Sequence, residues 1–418
     1  MGVVAQTWRG WRKIGYDAAM YPRSFLARPS TLLSSALMLG LLPGCGGSKA
    51  PQEAASTKEA AAPAKEAADA VAKAAKDRAA KADAAWKGWT HTPRPAGLSA
   101  PPSVPADNPM TPGKIALGHQ LFMDKRLSFD GSRSCYSCHL NEFGNTDGRA
   151  RALGAGDKPL SRNSPTIWNV AYHGELYWDG RAKSLEAQAL GAWKGGNMGV
   201  GADNLAAKAA EIGALPEYAE AFKTEFGVGK TPEAATVTPM MVAQAISSYE
   251  RTLLCGDTAH DTGARSEAAT RGWDLFRGKA QCAVCHNGDN FSDGLFHNVG
   301  IGFEPDGAAK ETADIGRGKV TKNAADNHKF RTPTLRNVSN TAPYFHDGSI
   351  ATLEEAVRYM ASGGVPKAPN ADPLLRPVAL TDQEVKDVVA FLESLACKGS
   401  LKVIGDQSVP WLAKAGTP

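Results

Sequence analysis

Aromatic residues, net charge and long hydrophobic runs are all scarce in this sequence. Aromatic side chains make up 7% of the 418 residues, so we do not expect a core rich in aromatic packing. The 47 Lys and Arg residues nearly balance the 43 Asp and Glu residues, and a net charge of +4 argues against nucleic acid as a partner. No run of 18 apolar residues occurs, so we expect no membrane-spanning helix.

The chain is instead rich in turn-forming residues and contains informative cysteines. Its 43 Gly and 26 Pro residues predict many turns, and its length allows two hydrophobic cores with additional segments. The spacing of the seven cysteines indicates what kind of protein this is.

The N-terminal region has the features of an export signal. Residues 30–44 (STLLSSALMLGLLPG) form an apolar run of signal-peptide length with Arg23 and Arg28 upstream. The run ends at Cys45, in a setting similar to a bacterial lipoprotein processing site, where the cysteine thiol is acylated. A plain secretory signal cleaved nearby is the alternative. Both predict a signal peptide over residues 1–44 and a periplasmic protein, which in the first case is attached to the membrane through lipid.

A linker follows the predicted signal peptide. Residues 46–92 are rich in Ala, Lys and Glu, which favour helix, but they offer no wide apolar face to bury. We predict a flexible, partly helical tether over residues 45–107. The Pro-rich stretch 93–109 then marks the start of the folded part.

Two cysteine motifs predict covalently bound haem. Residues 135–139 (CYSCH) and 282–286 (CAVCH) both match C-x-x-C-H, the attachment signature of c-type haem. Two thiols at this spacing add to the haem vinyl groups, and the adjacent histidine ligates the iron. A zinc knuckle or a redox dithiol is the alternative, but zinc sites usually have cysteine pairs about 15–20 residues apart. The predicted attachment and ligand residues are Cys135, Cys138, His139, Cys282, Cys285 and His286.

Two further cysteines each follow a helix-like segment. Cys255 and Cys397 end the segments TLLC and SLAC. A disulfide between them and a pair of buried free thiols are both compatible with export to an oxidising compartment.

The two halves of the chain repeat each other. At a constant offset of 168 residues, Pro165-Thr166 matches Pro333-Thr334, and residues 177–180 (YWDG) match residues 345–348 (FHDG). Each half is therefore a haem module of a few helices. Within the second module, Met360 stands near the end of the segment TLEEAVRYM, where a thioether could ligate the second iron. The first module has Ala192 at the matching place, although a helical methionine is more often a packing residue.

Several long motifs resemble one protein family. The segments LSFDGSRSCYSCH, RNSPTIWNVAY, YWDGRAKSLEAQAL and TPTLRNVSNTAPYFHDGSIATLEEAV are similar to those of bacterial diheme cytochrome c peroxidases and their MauG-type relatives. The resemblance covers about residues 108–397. It implies an all-α fold with two cytochrome c-like domains in tandem. We place them at residues 108–238, which would hold the peroxidatic haem, and 239–405, which would hold the electron-transfer haem, followed by a tail over 406–418.

The resemblance also implies roles for individual residues. Met360 falls where the peroxidases have their methionine ligand and MauG-type enzymes have tyrosine, with Tyr359 as the rival. Trp178 matches the tryptophan between the haems, and packing is its simpler role. Gln188 matches a glutamine on the peroxide-binding side of the first haem. The family's calcium site corresponds to Asn163 and the carbonyls of Thr341 and Pro343, since oxygen ligands suit a hard cation.

Two departures from the family pattern bear on mechanism. Peroxidases that need reductive activation carry a histidine about eight residues before the Asn163 position, but the loop here (GRARALGAGDKPLSRN) has none. The first haem is therefore expected to be open in the oxidised protein. The family's distal glutamate, about ten residues after Gln188, is also missing from Gly196-Asn197-Met198. Candidate substitutes are Glu142, Glu175 and His173. Met198 could approach the iron, but packing is its simpler role.

These observations lead to three functional hypotheses. The favoured one is a peroxidase that reduces hydrogen peroxide with electrons from a small cytochrome c or cupredoxin. The first alternative is a MauG-type enzyme that oxidises a Trp or Tyr of a partner protein. The second is a non-enzymatic electron shuttle, which would need Met198 or His173 as a sixth ligand. The resemblance implies two c-type haems, a calcium ion and a tendency to form homodimers.

Overall fold

The computed structural model describes residues 61–232, 235–311 and 313–397. The predicted signal peptide, the proposed lipid attachment at Cys45 and the predicted tail 406–418 lie outside these residues. Within the described part, no helix is both long enough and apolar enough to cross a membrane.

The described chain is mainly helical, which confirms the predicted all-α class. Short 3-10 turns begin at both C-x-x-C-H motifs, over Cys135–Ser137 and Cys282–Val284. The small amount of sheet is one antiparallel pair of two-residue strands, β1 (Phe296–His297) and β2 (Phe330–Arg331). The helices are α1 (Ala61–Trp86), α2 (Pro112–Met123), α3 (Leu185–Lys194), α4 (Leu205–Gly213), α5 (Pro216–Phe226), α6 (Pro239–Glu250), α7 (Glu267–Arg277), α8 (Arg317–Thr321), α9 (Leu353–Ala361) and α10 (Asp382–Glu393).

The first module is organised by a close crossing of α2 and α6. Gly118 permits this crossing, because a β-carbon at this position would overlap the carbonyl oxygen of Ala245. Around it lies a large apolar core that includes the fully buried Leu121, Phe122 and Phe222. Thr111 begins α2 as its N-cap, accepting a hydrogen bond from the Lys114 backbone N–H.

The second module repeats this crossing with α7 and α10. Gly272 corresponds to Gly118 and permits the crossing in the same way, because a β-carbon there would overlap the carbonyl oxygen of Asp387. The core is smaller and more aromatic, with Phe276, Phe291 and Phe391 buried together. Thr381 and Glu384 cap the start of α10 reciprocally, which fixes where that helix begins.

The structure moves the boundary between the modules. We placed it at 238/239, but α6 (Pro239–Glu250) packs on α2 and α3 within the first core. Val242, Ala245 and Ile246 are almost completely buried there. The first module therefore extends through α6, because that helix supplies half of the crossing that forms its core.

The Pro-rich segment is part of the folded protein rather than of the tether. The Gly97 carbonyl accepts a hydrogen bond from buried Arg336 of the second module (3.0 Å). The Ala100 carbonyl accepts one from Tyr172 of the first module (2.7 Å). The predicted tether therefore ends before about residue 95, because the following residues bond to both modules.

A disulfide links Cys255 and Cys397, which settles the alternative left open by the sequence. The two cysteines follow α6 and α10, the matching helices of the two modules. Asn169 accepts a hydrogen bond from the Cys255 N–H (2.7 Å), and its repeat partner Asn337 accepts one from the Cys397 N–H (3.1 Å). The bond thus joins equivalent points of the two modules.

Candidate functional site

Both C-x-x-C-H histidines are oriented as axial ligands require. His139 Nδ1 lies 3.0 Å from the Asn145 carbonyl oxygen, and His286 Nδ1 lies 2.9 Å from that of Phe291. A carbonyl accepts only from a protonated nitrogen, so Nε2 of each ring remains free for iron. Burial lowers the pKa of both histidines, which keeps the imidazoles neutral and able to ligate.

The second module contains a cavity that brings two predicted ligands together. The cavity has a volume of about 240 Å³, and His286 and Met360 both line it. Cys282 and Cys285 lie in the same wall, which is otherwise mostly apolar. Tyr359, the rival ligand, donates its hydroxyl proton to the Val299 carbonyl (2.8 Å) and is thereby held elsewhere. This set of residues fits a c-type haem with histidine and methionine on its two faces.

A buried cation supports the fit. Arg331 lines the cavity and is only 6% exposed, and no carboxylate pairs with it among the described residues. Burial lowers the pKa of its guanidinium to about 10. A buried charge without a counter-ion is costly, and the carboxylates that every haem carries would supply one.

The first module has the same scaffold with a different lining. Its helix α3 matches α9 at the offset of 168, and each begins after a hydroxyl N-cap, Ser184 and Thr352. At this offset Ala192 stands for Met360. By the same rule, Gln188 stands for Ala356, which lines the second cavity. The correspondence predicts that Gln188 lines the first haem site, and it puts no methionine at the position of Met360.

Glu250 is a functional candidate that the sequence interpretation missed. It is the last residue of α6 and corresponds to Leu392 of α10, which lines the second cavity. Glu250 is 5% exposed, and its Oε2 atom has no hydrogen-bond partner within the described protein. Burial raises its pKa to about 8, although Arg251 opposes the shift. The only sequence signal was a carboxylate on the inner face of a helix that we had assigned to the other module.

Glu250 lies near both the haem attachment and a buried tyrosine. A negative charge on Glu250 raises the pKa of Cys135, after the larger effect of burial. The same charge contributes to the raised pKa of Tyr177, whose hydroxyl donates to the Gln188 carbonyl (2.9 Å). Polar groups thus occupy the first site where the second has Leu392, Phe345 and Ala356.

Trp178 and His346, which match in the repeat, both line the second cavity. Trp178 Nε1 donates to the Asn163 carbonyl (3.0 Å), and the Asn163 N–H donates to the His346 carbonyl (2.8 Å). His346 stacks on Phe330 with 3.5 Å between ring centroids. Trp178 is therefore held where the two modules meet, and its role between the haems, which the family resemblance implies, stays a prediction.

Arg162 links the two modules at the same junction through ion pairs. It pairs with Asp179 of the first module and Asp314 of the second, at 2.7 Å each. Hydrogen bonds from Arg162 lower the pKa of Asp314 to about 2 against the opposing effect of burial, which is the larger cause. All three side chains are largely buried, so the pairing holds the two modules in register.

Two of the three predicted calcium ligands come together. The Asn163 side-chain amide lies 3.5 Å from the Pro343 carbonyl oxygen and 2.7 Å from that of Arg149. Rotating the amide by 180° would turn Oδ1 towards these carbonyls. No described contact joins Thr341 to Asn163, so Thr341 stays a prediction.

The other candidates for the missing acid are occupied or remote. Glu175 pairs with Lys183 and with Arg317 (2.5 Å), which lowers its pKa despite the opposing effect of burial. His173 accepts a hydrogen bond from Arg331 (2.9 Å) and lies 3.4 Å from Asn290. Glu142 is exposed and accepts one from Tyr136. Met198 is buried in the first core, as its packing role requires.

The fold and the two paired sites define a class of protein, the c-type cytochromes that carry two haems on a duplicated scaffold. A family model described as di-haem cytochrome c peroxidase matches residues 112–269, and a cytochrome c model matches residues 269–396. The chain belongs to the diheme cytochrome c peroxidase and MauG family, whose members are oxidoreductases. Two c-type haems are its expected cofactors.

Relatives of both kinds are similar to this chain. The cytochrome-c peroxidase IdrP1 of Denitromonas iodatirespirans is 42% identical over 72% of this chain and 86% of its own length. The methylamine utilization protein MauG of Methylorubrum extorquens is 38% identical over 71% and 82%. A solved MauG-like protein associated with microbial copper homeostasis is 33% identical, with a TM-score of 0.66 over 77% of this chain and 97% of its own.

Proposed function

We propose that this protein reduces hydrogen peroxide to water at the first haem site, using electrons that enter through the second. The reaction consumes one peroxide molecule, two electrons and two protons and yields two water molecules. Haem iron held by His139 would supply the chemistry for O–O cleavage, and haem iron held by His286 and Met360 would supply single-electron exchange. The observation that carries the proposal is Ala192 at the place where the second module has Met360.

The side chains of the chain divide these tasks between the modules. His286 and Met360 face one cavity, where together they would fill both axial positions. At the first site, His139 would hold the iron, and Ala192 has no atom that could serve as a second ligand. Gln188 is proposed to donate a hydrogen bond from its side-chain amide to a bound peroxide oxygen.

Glu250 is proposed to supply the proton that the absent distal glutamate would carry. With a pKa of about 8, it is largely protonated at neutral pH and can both give and regain a proton near that pH. The effect of its charge on the pKa of Tyr177 supports this role, because Tyr177 matches Phe345, which lines the second cavity.

Electron entry is proposed at the second module. Val284, within the C-x-x-C-H turn, is 51% exposed, and Leu374 at the same cavity is 56% exposed. These apolar side chains at the cavity mouth would allow a small cytochrome c or cupredoxin to approach closely. Trp178, held by Asn163 at the junction of the modules, would carry electrons inward.

The proposal is tested by turnover. Purified diheme protein is mixed with a reduced small c-type cytochrome and hydrogen peroxide, with and without prior reduction. We expect oxidation of the donor without prior reduction, because the loop over residues 148–163 has no histidine to block the first site. Turnover that requires prior reduction would contradict the open first site.

A second candidate function is MauG-type oxidation of a Trp or Tyr in a partner protein. The similarity to MauG and to a MauG-like structure favours it, and so does the missing distal glutamate. Met360 argues against it, because methionine stabilises reduced iron whereas tyrosine stabilises the oxidised states. Peroxide-dependent loss of Trp or Tyr in a co-expressed partner, without donor turnover, would favour this function.

Three accessory features complete the proposal. The protein is exported to the periplasm, with a lipid anchor at Cys45. A calcium ion binds near Asn163 and the Pro343 carbonyl, with water completing its shell. A homodimer is the expected assembly. Mass spectrometry of the mature protein, calcium analysis and sedimentation would test these features separately.

A further inference from the structure

The residue that positions each haem-ligating histidine differs in polarity between the modules. Residues 145–148 (NTDG) match residues 291–294 (FSDG). The first residue of each segment has positive φ and accepts a hydrogen bond from the histidine Nδ1 through its carbonyl oxygen. Asn145 and Phe291 are therefore structural equivalents, one with an amide side chain and one with a phenyl ring.

In the second module this position lies among aromatic rings, with His260 and the Arg336–Asp261 ion pair beside them. The Phe291 ring lies 6.5 Å from that of Trp273 and 6.1 Å from that of Phe391. The guanidinium of Arg336 lies over its face at 5.5 Å. Phe291 does not line the haem cavity, so its side chain sits behind His286 and away from the porphyrin.

The first module has polar groups at the corresponding positions. His119 replaces Trp273, as the repeat of Gly118-His119 and Gly272-Trp273 shows. Trp168 stands at the position of Arg336 at the offset of 168, and it carries an indole N–H instead of a guanidinium. His119 also packs on Tyr249, with 5.0 Å between ring centroids, as Trp273 packs on Phe391.

Side-chain atoms of these three residues are buried without hydrogen-bond partners among the described residues. Both side-chain atoms of Asn145 are buried and unbonded among the described residues, and the residue is 0% exposed. His119 Nε2 and Trp168 Nε1 are in the same condition. Burial lowers the pKa of His119, so its ring is neutral and one nitrogen is an acceptor. The group thus offers N–H donors on Asn145 and Trp168 and acceptors on Asn145 and His119.

Leaving such atoms unbonded is expensive. Each unsatisfied buried polar group costs about 1–3 kcal/mol, and native proteins almost always provide a partner. An asparagine side chain is also much smaller than the phenylalanine it replaces, so the same framework leaves room. Buried water occupies sites of this kind, which have adequate space and two to four polar partners.

We propose that His119, Asn145 and Trp168 form a buried water site behind His139, which lowers the reduction potential of the first haem relative to a dry surrounding. Water and amide dipoles next to the ligand stabilise the additional positive charge of oxidised iron, whereas the phenyl ring of Phe291 at the matching position behind His286 offers no such dipole. This site goes beyond the proposed peroxide reaction, because it would set the same potential whatever substrate the first haem serves.

The test installs the residue of the second module in the first. In Asn145→Phe, the ring expels the water, and spectroelectrochemical titration should show a higher midpoint potential for the first haem. The second haem in the same molecule is the internal control, and its potential should not move. The iron–histidine stretching frequency of the reduced first haem, measured by resonance Raman, should shift as well. An unchanged first-haem potential in a fully haem-loaded variant would overturn the proposal.

A second measurement decides the matter even if that variant does not load haem. A high-resolution crystal structure of the wild-type holoprotein should show ordered water within hydrogen-bond distance of the Asn145 amide. A dry site, with the amide bonded to protein groups instead, would overturn the proposal. Asn145→Leu is a smaller replacement for the potential measurement, and it should also raise the first-haem potential.

Discussion

The two modules share a scaffold but differ in the side chains that line their haem sites. In each, two helices cross at a glycine, Gly118 or Gly272, and a C-x-x-C-H turn presents a histidine whose Nδ1 bonds to a carbonyl. The second module lines its cavity with Met360, Leu392 and Phe345.

The first module replaces each of these three. Ala192 removes the ligand, Glu250 introduces a buried carboxyl group, and Tyr177 introduces a hydroxyl. A few substitutions on a duplicated scaffold are thus enough to separate an electron-transfer site from a site suited to chemistry. The backbone holds the iron ligand in the same way in both, so the difference in function has to come from the lining.

Removing Met360, the proposed iron ligand of the second module, should change the difference between the two modules most. Met360→Ala should abolish the high-potential haem signal and lower peroxide turnover by roughly 100-fold or more, the scale of losses on disturbing a metal centre. Peroxide binding at the first site should remain largely intact. Potentiometry, stopped-flow binding and donor turnover measure the three effects.

Met240→Ala is the control for this variant, since Met240 is 45% exposed on the outer face of α6. It should behave as the wild type in all three measurements. An unchanged second-haem spectrum in Met360→Ala would refute the assignment of the ligand.

The next test makes the first site resemble the second. Glu250→Leu, which installs the residue at position 392, and Glu250→Gln should lower kcat by about 10²-fold, the lower range for loss of acid–base assistance. The wild-type rate should fall as the pH rises through about 8, where the carboxyl group deprotonates, and this step should be absent from both variants. A pH profile of kcat/KM that keeps its step near 8 in Glu250→Gln would exclude Glu250 as its source.

The same carboxyl group makes a prediction about stability. Because burial raises its pKa from 4.5 to about 8, the folded protein retains a proton that the unfolded chain releases. Stability should therefore decline as the pH rises from about 4.5 to 8, and Glu250→Gln should flatten that decline. Urea denaturation at several pH values measures the decline. The control is Glu393→Gln, because Glu393 is exposed on α10 next to Leu392, the residue that corresponds to Glu250. A decline of equal size in Glu250→Gln would contradict the buried-acid assignment.

The disulfide should affect stability rather than chemistry. It closes a loop of 142 residues, so replacing both Cys255 and Cys397 by Ser should cost about 2–5 kcal/mol. Haem spectra and turnover should change little, because neither cysteine lines the second cavity. Denaturant unfolding of the oxidised and variant proteins measures the loss. Equal stability of the two would show that the bond contributes nothing.

Calcium removal should have the smallest effect. Chelation should lower turnover several-fold without changing either iron ligand, since the Asn163 region supports Trp178 through its carbonyl. Asn163→Ala should mimic chelation, while Asn323→Ala, at an exposed position, should leave the response to chelator unchanged. Full activity after verified removal of the metal would contradict a role for calcium.

The haem attachment sites and the repeat could be predicted from sequence because they depend on local spacing. Two thiols and a histidine at fixed separation can be recognised without any tertiary information. The offset of 168 residues likewise showed that residues 177–180 correspond to 345–348 and that α3 corresponds to α9. The offset also aligned Met360 with Ala192, and in the structure Met360 and His286 line the same cavity.

The remaining features depend on long-range packing, which the sequence does not show. The crossing helices do not follow the offset of 168 residues. Gly118 matches Gly272 and Glu250 matches Leu392, and neither pair is 168 residues apart. The repeat therefore did not reveal that α6 belongs to the first core. Glu250 therefore escaped notice as a wall residue. The segment after Pro95 was taken for a linker because its composition is that of one, although its carbonyls bind Tyr172 and Arg336.

The central claim, one open and one closed haem, is tested most directly by low-temperature EPR of the fully oxidised holoprotein. We predict a high-spin ferric signal from the site of His139 and a low-spin signal from the site of His286 and Met360. The high-spin signal should respond to added small ligands and the low-spin signal should not. Two low-spin signals, both insensitive to such ligands, would contradict the claim and leave the first site without a place for peroxide.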